Sequence, residues 1–336
     1  MLHIDQSRRT TAGAPPPGWT GRNGGDSTVP HTDQTHRTDI ELIPAHTGTT
    51  PFGTCYQQCV ANLAAWYGLS DAEDVLVTTG GFGWDGGSVL RGGDRWVTAA
   101  ARLHGLPVQE RRFGSYEELR ALEEAELAAG RPLAAAVDAY WLPSEYEGVE
   151  HLAHCVLLTG RDADGVTVVD PMNHPEPVRY PEERWRTLRS ADAADGFRTF
   201  LLSGGPTRKP SAHDLARAVS EDRRAHHERD TAALAAYIEA CDAAESGTLD
   251  VSGAAADRHF LGRLFRHLAV SLPELEAVAV EAASLTRRWY LVHTLSRESG
   301  GSPEGRRRLV RMLRDLRGRE ERLAAHVDEA VAALGA

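Results

Sequence analysis

The stretch from Ala153 to Val169 leaves few folds open to this chain. Ala153–Thr159 (Ala-His-Cys-Val-Leu-Leu-Thr) and Gly165–Val169 (Gly-Val-Thr-Val-Val) are short apolar runs rich in strand-forming residues, and Asp162-Ala163-Asp164-Gly165 between them is turn chemistry. Two such runs joined by a tight turn predict an antiparallel hairpin. In an antiparallel pair the start of one strand lies beside the end of the next. His154, which opens the first run, and Asp170, which closes the second, are therefore expected at the same end of the ladder. A carboxylate beside an imidazole fixes its tautomer and orientation. Pro132 to Val137 and Phe197 to Leu202 read as further strands. Either His154 or Asp170 alone would be an ordinary strand-end residue or turn starter; their matched hairpin positions carry the argument.

A thiol stands about a hundred residues earlier, in Gly53-Thr54-Cys55-Tyr56-Gln57-Gln58-Cys59. Pro51, Gly53 and Thr54 are turn and cap residues, and Val60, Leu63, Ala64 and Tyr67 then recur at helical spacing until Gly68 stops the run. Thr54 is the natural N-cap, so Cys55 is expected in the first turn. Unsatisfied N–H groups and the positive end of the helix dipole there favour thiolate over thiol. The competing reading of Cys55 is a small buried hydrophobe. Cys59, one turn on, is expected to point inward and pack. A thiol, a base and an orienting acid at these places are the sequence layout of a Cys-His-Asp enzyme, with catalytic residues Cys55, His154 and Asp170.

The remainder of the chain divides by pattern. Residues 1–40 lack apolar periodicity and read as a disordered leader, 41–205 as the domain holding the three residues, and 206–336 as a helical domain. Gly204 to Pro210 is the expected linker. Helical patterns cover Ala212 to Ala244, His259 to Leu272, Pro273 to Leu295 and Pro303 to Leu334; in the last, Leu309, Leu313, Leu316, Leu323, Val327 and Leu334 form one apolar stripe expected in the core. The fold class expected is α+β, with N-terminal helices on an antiparallel sheet followed by an all-helical domain.

At 336 residues with 41% hydrophobic content there is material for two cores. The four cysteines (Cys55, Cys59, Cys155, Cys241) lack the spacing of a disulfide framework, and neither a signal peptide nor an apolar run of transmembrane length is visible. A cytoplasmic enzyme is the expectation. A formal charge of −11 argues against general nucleic-acid binding. Three motifs compete for function. Gly81-Phe82-Gly83-Trp84-Asp85-Gly86 matches the dinucleotide fingerprint, yet Gly87, Gly92 and Gly93 intervene before any helix, so it reads as a flexible loop walling the cleft. Cys55 and Cys59 with His151 and His154 would make an ill-spaced zinc set, and one group cannot be both ligand and base. His226-His227 read as a solvated helix face. No cofactor or metal is called for.

The Cys55-x12-Gly68 helix, closed by Trp66-Tyr67-Gly68, resembles the Cys-to-Tyr-Tyr-Gly helix of the bacteriocin-processing, papain-like C39 peptidases, and the spacing from His154 to Asp170-Pro171 is also similar. A closer resemblance is to the N-terminal domain of butirosin biosynthesis protein H and its relatives. They carry an Asp-x-Tyr-x-Leu-Pro segment before the histidine, and here Asp138-Ala139-Tyr140-Trp141-Leu142-Pro143 precedes His151 and His154. The resemblance covers roughly residues 45 to 205.

It implies a papain-like cysteine acyltransferase of antibiotic biosynthesis that moves an acyl group from a carrier-protein thioester to an amine. Cys55 then matches the nucleophile, His154 the base and Asp170 the third member; Asp138 and Tyr140 become candidates for substrate contact. Where the peptidases have an oxyanion-hole Gln, six positions before the Cys, this chain has Thr49. The Cys55 N–H, with a Thr49 or Thr50 hydroxyl, is the expected substitute. A thioester is already activated, so a missing donor favours acyl transfer over proteolysis. A peptidase, amidase or thioesterase using the same three residues, and a silent binding protein on this scaffold, are the other readings. The partners expected are an acyl carrier protein and a small-molecule or peptide amine. An acidic carrier would suit the arginine-rich run Arg306 to Arg322.

Overall fold

The computed structural model describes residues 54–76, 81–86, 89–91, 93–144, 146–203, 209–243, 251–299 and 302–335, all within a unit spanning Arg37–Ala336. Its centre is an antiparallel six-stranded sheet. In chain order the strands are β3 (Val108–Arg111), β4 (Leu133–Asp138), β5 (Ala153–Asp162), β6 (Gly165–Asp170), β7 (His174–Pro181) and β8 (Thr199–Leu202), and across the sheet they run β3-β8-β4-β5-β6-β7. The expected hairpin is β5–β6. Asp162 Oδ1 accepts hydrogen bonds from the N–H groups of Asp164 (2.8 Å) and Gly165 (3.2 Å), which closes the turn.

Side chains of β5 alternate between two cores. Cys155 and Leu157 enter a core shared with α1 (Cys55–Trp66), while Val156 and Leu158 enter a second one with Leu119, Trp185 and Leu188. Those three belong to α4 (Tyr116–Ala128) and α5 (Glu182–Ser190). Burial on both faces is why this strand reads as a continuous apolar run rather than an alternating one. Under α4 and α5 the second core also encloses charge. Glu123, fully buried, accepts from Trp185 Nε1 (3.1 Å) and pairs with Arg161, whose other nitrogen reaches Glu182 at 2.5 Å. Buried Arg189 donates to the carbonyls of Ala136, Arg198 and Phe197 and to Thr199 Oγ1 (2.6 Å), stitching α5 to β4 and β8.

The helical region holds α6 (Ala212–Ala243), α7 (Ser252–Ala269), α8 (Glu276–Ser299) and α9 (Pro303–Ala333). Its apolar stripe is core as expected: Leu309, Leu313, Leu316, Leu323 and Val327 are buried, with Leu334 packed at the margin. The same core continues through Trp96 of α3 (Gly93–Leu103) and Leu76 of α2 (Ala72–Leu76) to Leu63 of α1. Among the described residues no helix is long and apolar enough to cross a membrane.

Three local expectations change. Within the glycine-rich segment, β1 (Phe82–Trp84) pairs antiparallel with β2 (Val89–Arg91) instead of remaining a loop. Phe82 stacks on Trp289 (5.9 Å between ring centroids) and meets Tyr237 (5.7 Å), so aromatic packing on the helical region overrides the local glycine content. The last strand starts at Thr199 rather than Phe197, because Asp195, Gly196 and Phe197 all take positive φ, incompatible with a strand. Helix α7 starts at Ser252, well before His259, because Ala254, Ala255 and Ala256 are buried. The linker segment 204–208 lies outside the described residues.

Gly165 is the residue that the hairpin can least replace. Its φ is +153°, and a Cβ built there would stand 2.1 Å from the Tyr180 carbonyl oxygen of β7, a backbone atom paired in the sheet. Gly130 also has positive φ (+70°), but a Cβ there meets nothing within 4 Å. Gly165→Ala is expected to destabilise by about 3 kcal/mol or more and Gly130→Ala by about 1 kcal/mol, read from urea midpoints at constant m-value. Equal losses would mean that the β6–β7 contact yields freely.

Candidate active site

Thr54 takes an extended N-cap conformation (φ −73°, ψ 150°) and its hydroxyl accepts from the Gln57 N–H at 3.0 Å. Gln57 reciprocates, its Oε1 accepting from the Thr54 N–H at 3.1 Å, which completes a capping box. Cys55 is thereby fixed as the first residue of α1, half-buried. Tyr56 anchors the turn through Phe200 (4.6 Å between ring centroids) and the Thr98 hydroxyl (3.3 Å). One turn on, Cys59 is fully buried against Cys155. Burial, then the hydrogen bond with Cys155, pushes the Cys59 thiol well above its ordinary value, so Cys59 stays a neutral core thiol.

His154 sits opposite Val137 on β4, and its Nε2 lies 2.9 Å from Asp170 Oδ2. With Nε2 engaged by the acid, Nδ1 is the other ring nitrogen, and Cys55 lies close enough to His154 to help raise its pKa. Cys55, His154 and Asp170 are thus brought together, from a helix start, a strand start and a strand end. Regular pairing explains only part of this. The β5–β6 ladder shifts register between Leu158 and Gly160, and β6–β7 shifts again between Val168 and Asp170. Since a one-residue slip turns a side chain to the opposite face, these irregularities decide where Asp170 points. The Asp170 carboxylate is held further by the N–H groups of Met172 (3.0 Å) and Asn173 (3.2 Å) and by the Asn173 side-chain amide (3.0 Å).

The electrostatics follow from this packing. Both His154 and Asp170 are 8% exposed. Burial disfavours a charged imidazole, yet the hydrogen bonds to Asp170 and Cys55 and the charges beside it outweigh that cost, and the His154 pKa is raised to about 10. For Asp170, burial raises the carboxyl, but the hydrogen bond with and charge of His154, with the Met172 and Asn173 donors, hold it below the ordinary carboxylate value. At neutral pH the arrangement is an imidazolium between a carboxylate and a sulfur, and such a group can hand a proton to a leaving atom beside the thiol.

The other expected residues fall in two groups. Thr49 and Thr50 lie outside the described residues. Asp138 and Tyr140 gather with a residue not assigned to them from sequence, His151. Asp138 is fully buried at the end of β4, its Oδ1 accepts from the Tyr140 N–H (3.1 Å), and its Oδ2 lies 2.6 Å from His151 Nδ1. The His151 ring stacks on Tyr140 at 4.2 Å and 13°. Gln57 was missed as well. Because its Oε1 serves the cap, its Nε2 is a buried donor with no partner among the described residues, in the first turn beside Cys55. The capping-box pattern Thr-x-x-Gln is the signal that could have marked it.

These shifts set a pH profile. A pKa raised from 6.5 to about 10 makes His154 contribute stability that is fully present below about 6.5 and lost as pH rises through about 10. Asp170, lowered from 3.8, contributes stability present above 3.8 and lost as pH falls through its folded value. Urea midpoints of wild type should therefore decline between pH 7 and 10, and His154→Gln should flatten that decline while lowering the midpoint at pH 7. A wild-type profile unchanged by His154→Gln would mean that His154 is neutral in the folded protein.

Comparison with known proteins places this geometry in context. A solved structure described as a C39-like peptidase from Bacillus anthracis is similar to half of this chain: the match covers 50% of this chain and 100% of that one, at 16% identity and a TM-score of 0.32. No curated protein matches the chain. Residues 54–171, which contain Cys55, Asp138, His154 and Asp170, match the family Butirosin biosynthesis protein H, N-terminal, and form a domain of that family.

Proposed function

We propose that the protein is a cysteine acyltransferase that moves an acyl group from a carrier-protein thioester, through an acyl-enzyme on Cys55, to an amine. The observation that carries this reading is the buried His154–Asp170 hydrogen bond (2.9 Å) beside Cys55 at the start of α1, an environment that raises the His154 pKa to about 10. Cys55 attacks the thioester carbon, and the departing carrier sulfur takes the His154 proton. His154, now neutral, accepts a proton from the amine as the new C–N bond forms and the C–S bond to Cys55 breaks. The oxyanion would be met by the Cys55 N–H at the start of α1, with Gln57 Nε2 as a nearby donor in search of an acceptor. Exposed Met172, in the turn held by Asp170, and exposed Val149, two residues before His151, offer apolar contact to an acyl chain. A cysteine peptidase or thioesterase would use the same three groups, and the choice lies with the substrate.

On this reading an acidic carrier protein docks on the exposed arginines of α9. Arg307, Arg308 and Arg311 are exposed, whereas Arg314 is engaged by Asp242 (2.7 Å) and Arg319 by Asp315 (2.9 Å). The first three are therefore the ones to offer a partner.

Intact mass spectrometry after incubation with small acyl thioesters tests the chemistry. Wild type should gain one acyl mass, Cys55→Ala none, and Cys59→Ala should keep the adduct. His154→Ala should slow acylation by on the order of 10³-fold, and Asp170→Asn by less. An adduct that survives Cys55→Ala removes the nucleophile assignment. Cleavage of peptides with no thioester acylation favours the peptidase. For the carrier, replacing Arg307, Arg308 and Arg311 by Glu should raise the apparent KM for carrier-bound donor and spare small thioesters, with wild-type transfer weakening as salt rises. Equal loss with both donors would leave α9 as scaffold.

A further inference from the structure

Two Asp–His pairs stand at one end of the same sheet. Asp170–His154 faces the thiol, and Asp138–His151 is its neighbour: Asp138 pairs in register with Ala153, one step beyond the Val137–His154 pair, and the Ala139 N–H donates to the Leu152 carbonyl at 2.8 Å. Three residues of extended chain span at most about 11 Å, so the Cα atoms of His151 and His154 lie within that distance. The two pairs differ in one respect that matters for chemistry. The His154 side chain is 8% exposed and shares its burial with Asp170, whereas His151 is 61% exposed while its acid partner is 0% exposed. In a neutral imidazole the nitrogen that faces a carboxylate carries the hydrogen, so the contact at Nδ1 assigns the lone pair of that tautomer to Nε2. Stacking on Tyr140 fixes the ring plane. An exposed histidine with no task would not need a fully buried aspartate and an aromatic face to hold one tautomer.

Proton accounting supplies the task. Acylation leaves His154 neutral and Cys55 as a thioester. A neutral amine that attacks the acyl carbon loses one proton to His154, and the C–S electron pair returns to Cys55, which restores the imidazolium beside the sulfur. Alkyl amines, however, are ammonium ions at neutral pH, with ordinary pKa values of about 8 for an α-amino group and about 10.4 for a lysine-type amine. An ammonium acceptor must lose two protons, and His154 can end with only one of them.

We propose that His151 Nε2 takes the first proton, converting the bound ammonium to the nucleophilic amine, with Asp138 and Tyr140 as its positioning residues. His151 then returns that proton to solvent, to which it is exposed. This inference rests on the acyltransferase reading above.

The test measures the two half-reactions separately. Wild-type protein and His151→Gln are acylated with the N-acetylcysteamine thioester of a short acyl group, and loss of the adduct is then timed with two acceptors at pH 7. One is a primary alkylamine, present as ammonium; the other is hydroxylamine, already neutral. His151→Gln should acylate at the wild-type rate, slow transfer to the alkylamine by about 10²-fold and leave hydroxylamine transfer within about twofold of wild type. Asp138→Asn, which frees the tautomer, should show the same selectivity for alkylamine in weaker form. Equal loss with both acceptors would make His151 a structural element of the acceptor site, and no loss with either would leave the pair without a role; either result overturns the proposal. If wild type forms no adduct on Cys55, the acyltransferase reading itself fails, and that is visible before any acceptor is added.

Discussion

The hydrogen bond between His154 and Asp170 is the contact on which the candidate site depends, and it exists because of the β5–β6 ladder. Two residues sixteen positions apart reach 2.9 Å only when the strands carrying them run antiparallel from a tight turn. The register irregularities next to Leu158 and Val168 then set which way the strand ends face. Everything else at the site is arranged around that pair. The capping box fixes the first turn of α1 and with it Cys55 beside His154, while the N–H groups of Met172 and Asn173 hold the Asp170 carboxylate in place.

The ladder is rigid because both of its faces are occupied. On one face the cysteine helix and the helical region share one continuous core; on the other, α4 and α5 enclose Glu123, Arg161 and Arg189. Buried charges of this kind contribute little net stability, since desolvation offsets their attraction, but they tolerate few alternative arrangements. Arg189 spends its hydrogen bonds on carbonyls of neighbouring segments, so a shift of α5 would strand those donors. One of those carbonyls, that of Ala136, lies in the alanine-rich interior of β4, a poor strand former by composition.

The helical region is joined to the site-bearing part by packing as well as by the chain. Phe82 of the small hairpin sits between Tyr237 and Trp289, and Arg258 donates to the Gly81 carbonyl at 2.6 Å while pairing with Glu320. The segment that carries the glycine-rich motif is therefore occupied with holding α6, α7 and α8 against the rest.

What the sequence determined by itself is what local patterns encode. The apolar runs and turn residues gave β5 and β6, the Thr54 cap and helical spacing gave α1, and the long stripe of α9 gave a buried helix, because each signal lies within a few residues of the element it specifies. That was enough to put His154 and Asp170 at one end of a hairpin and Cys55 at a helix start. The strand β7 was not legible: Pro175, Pro177 and Pro181 weaken any strand reading, and they are tolerated because β7 lies at the edge of the sheet. Tertiary structure alone decided the remainder. The pairing of Asp138 with His151 needs a strand end and a loop thirteen residues apart to close on each other, and the high pKa of His154 needs burial beside two partners from different elements. Such properties belong to juxtapositions that no local sequence pattern specifies.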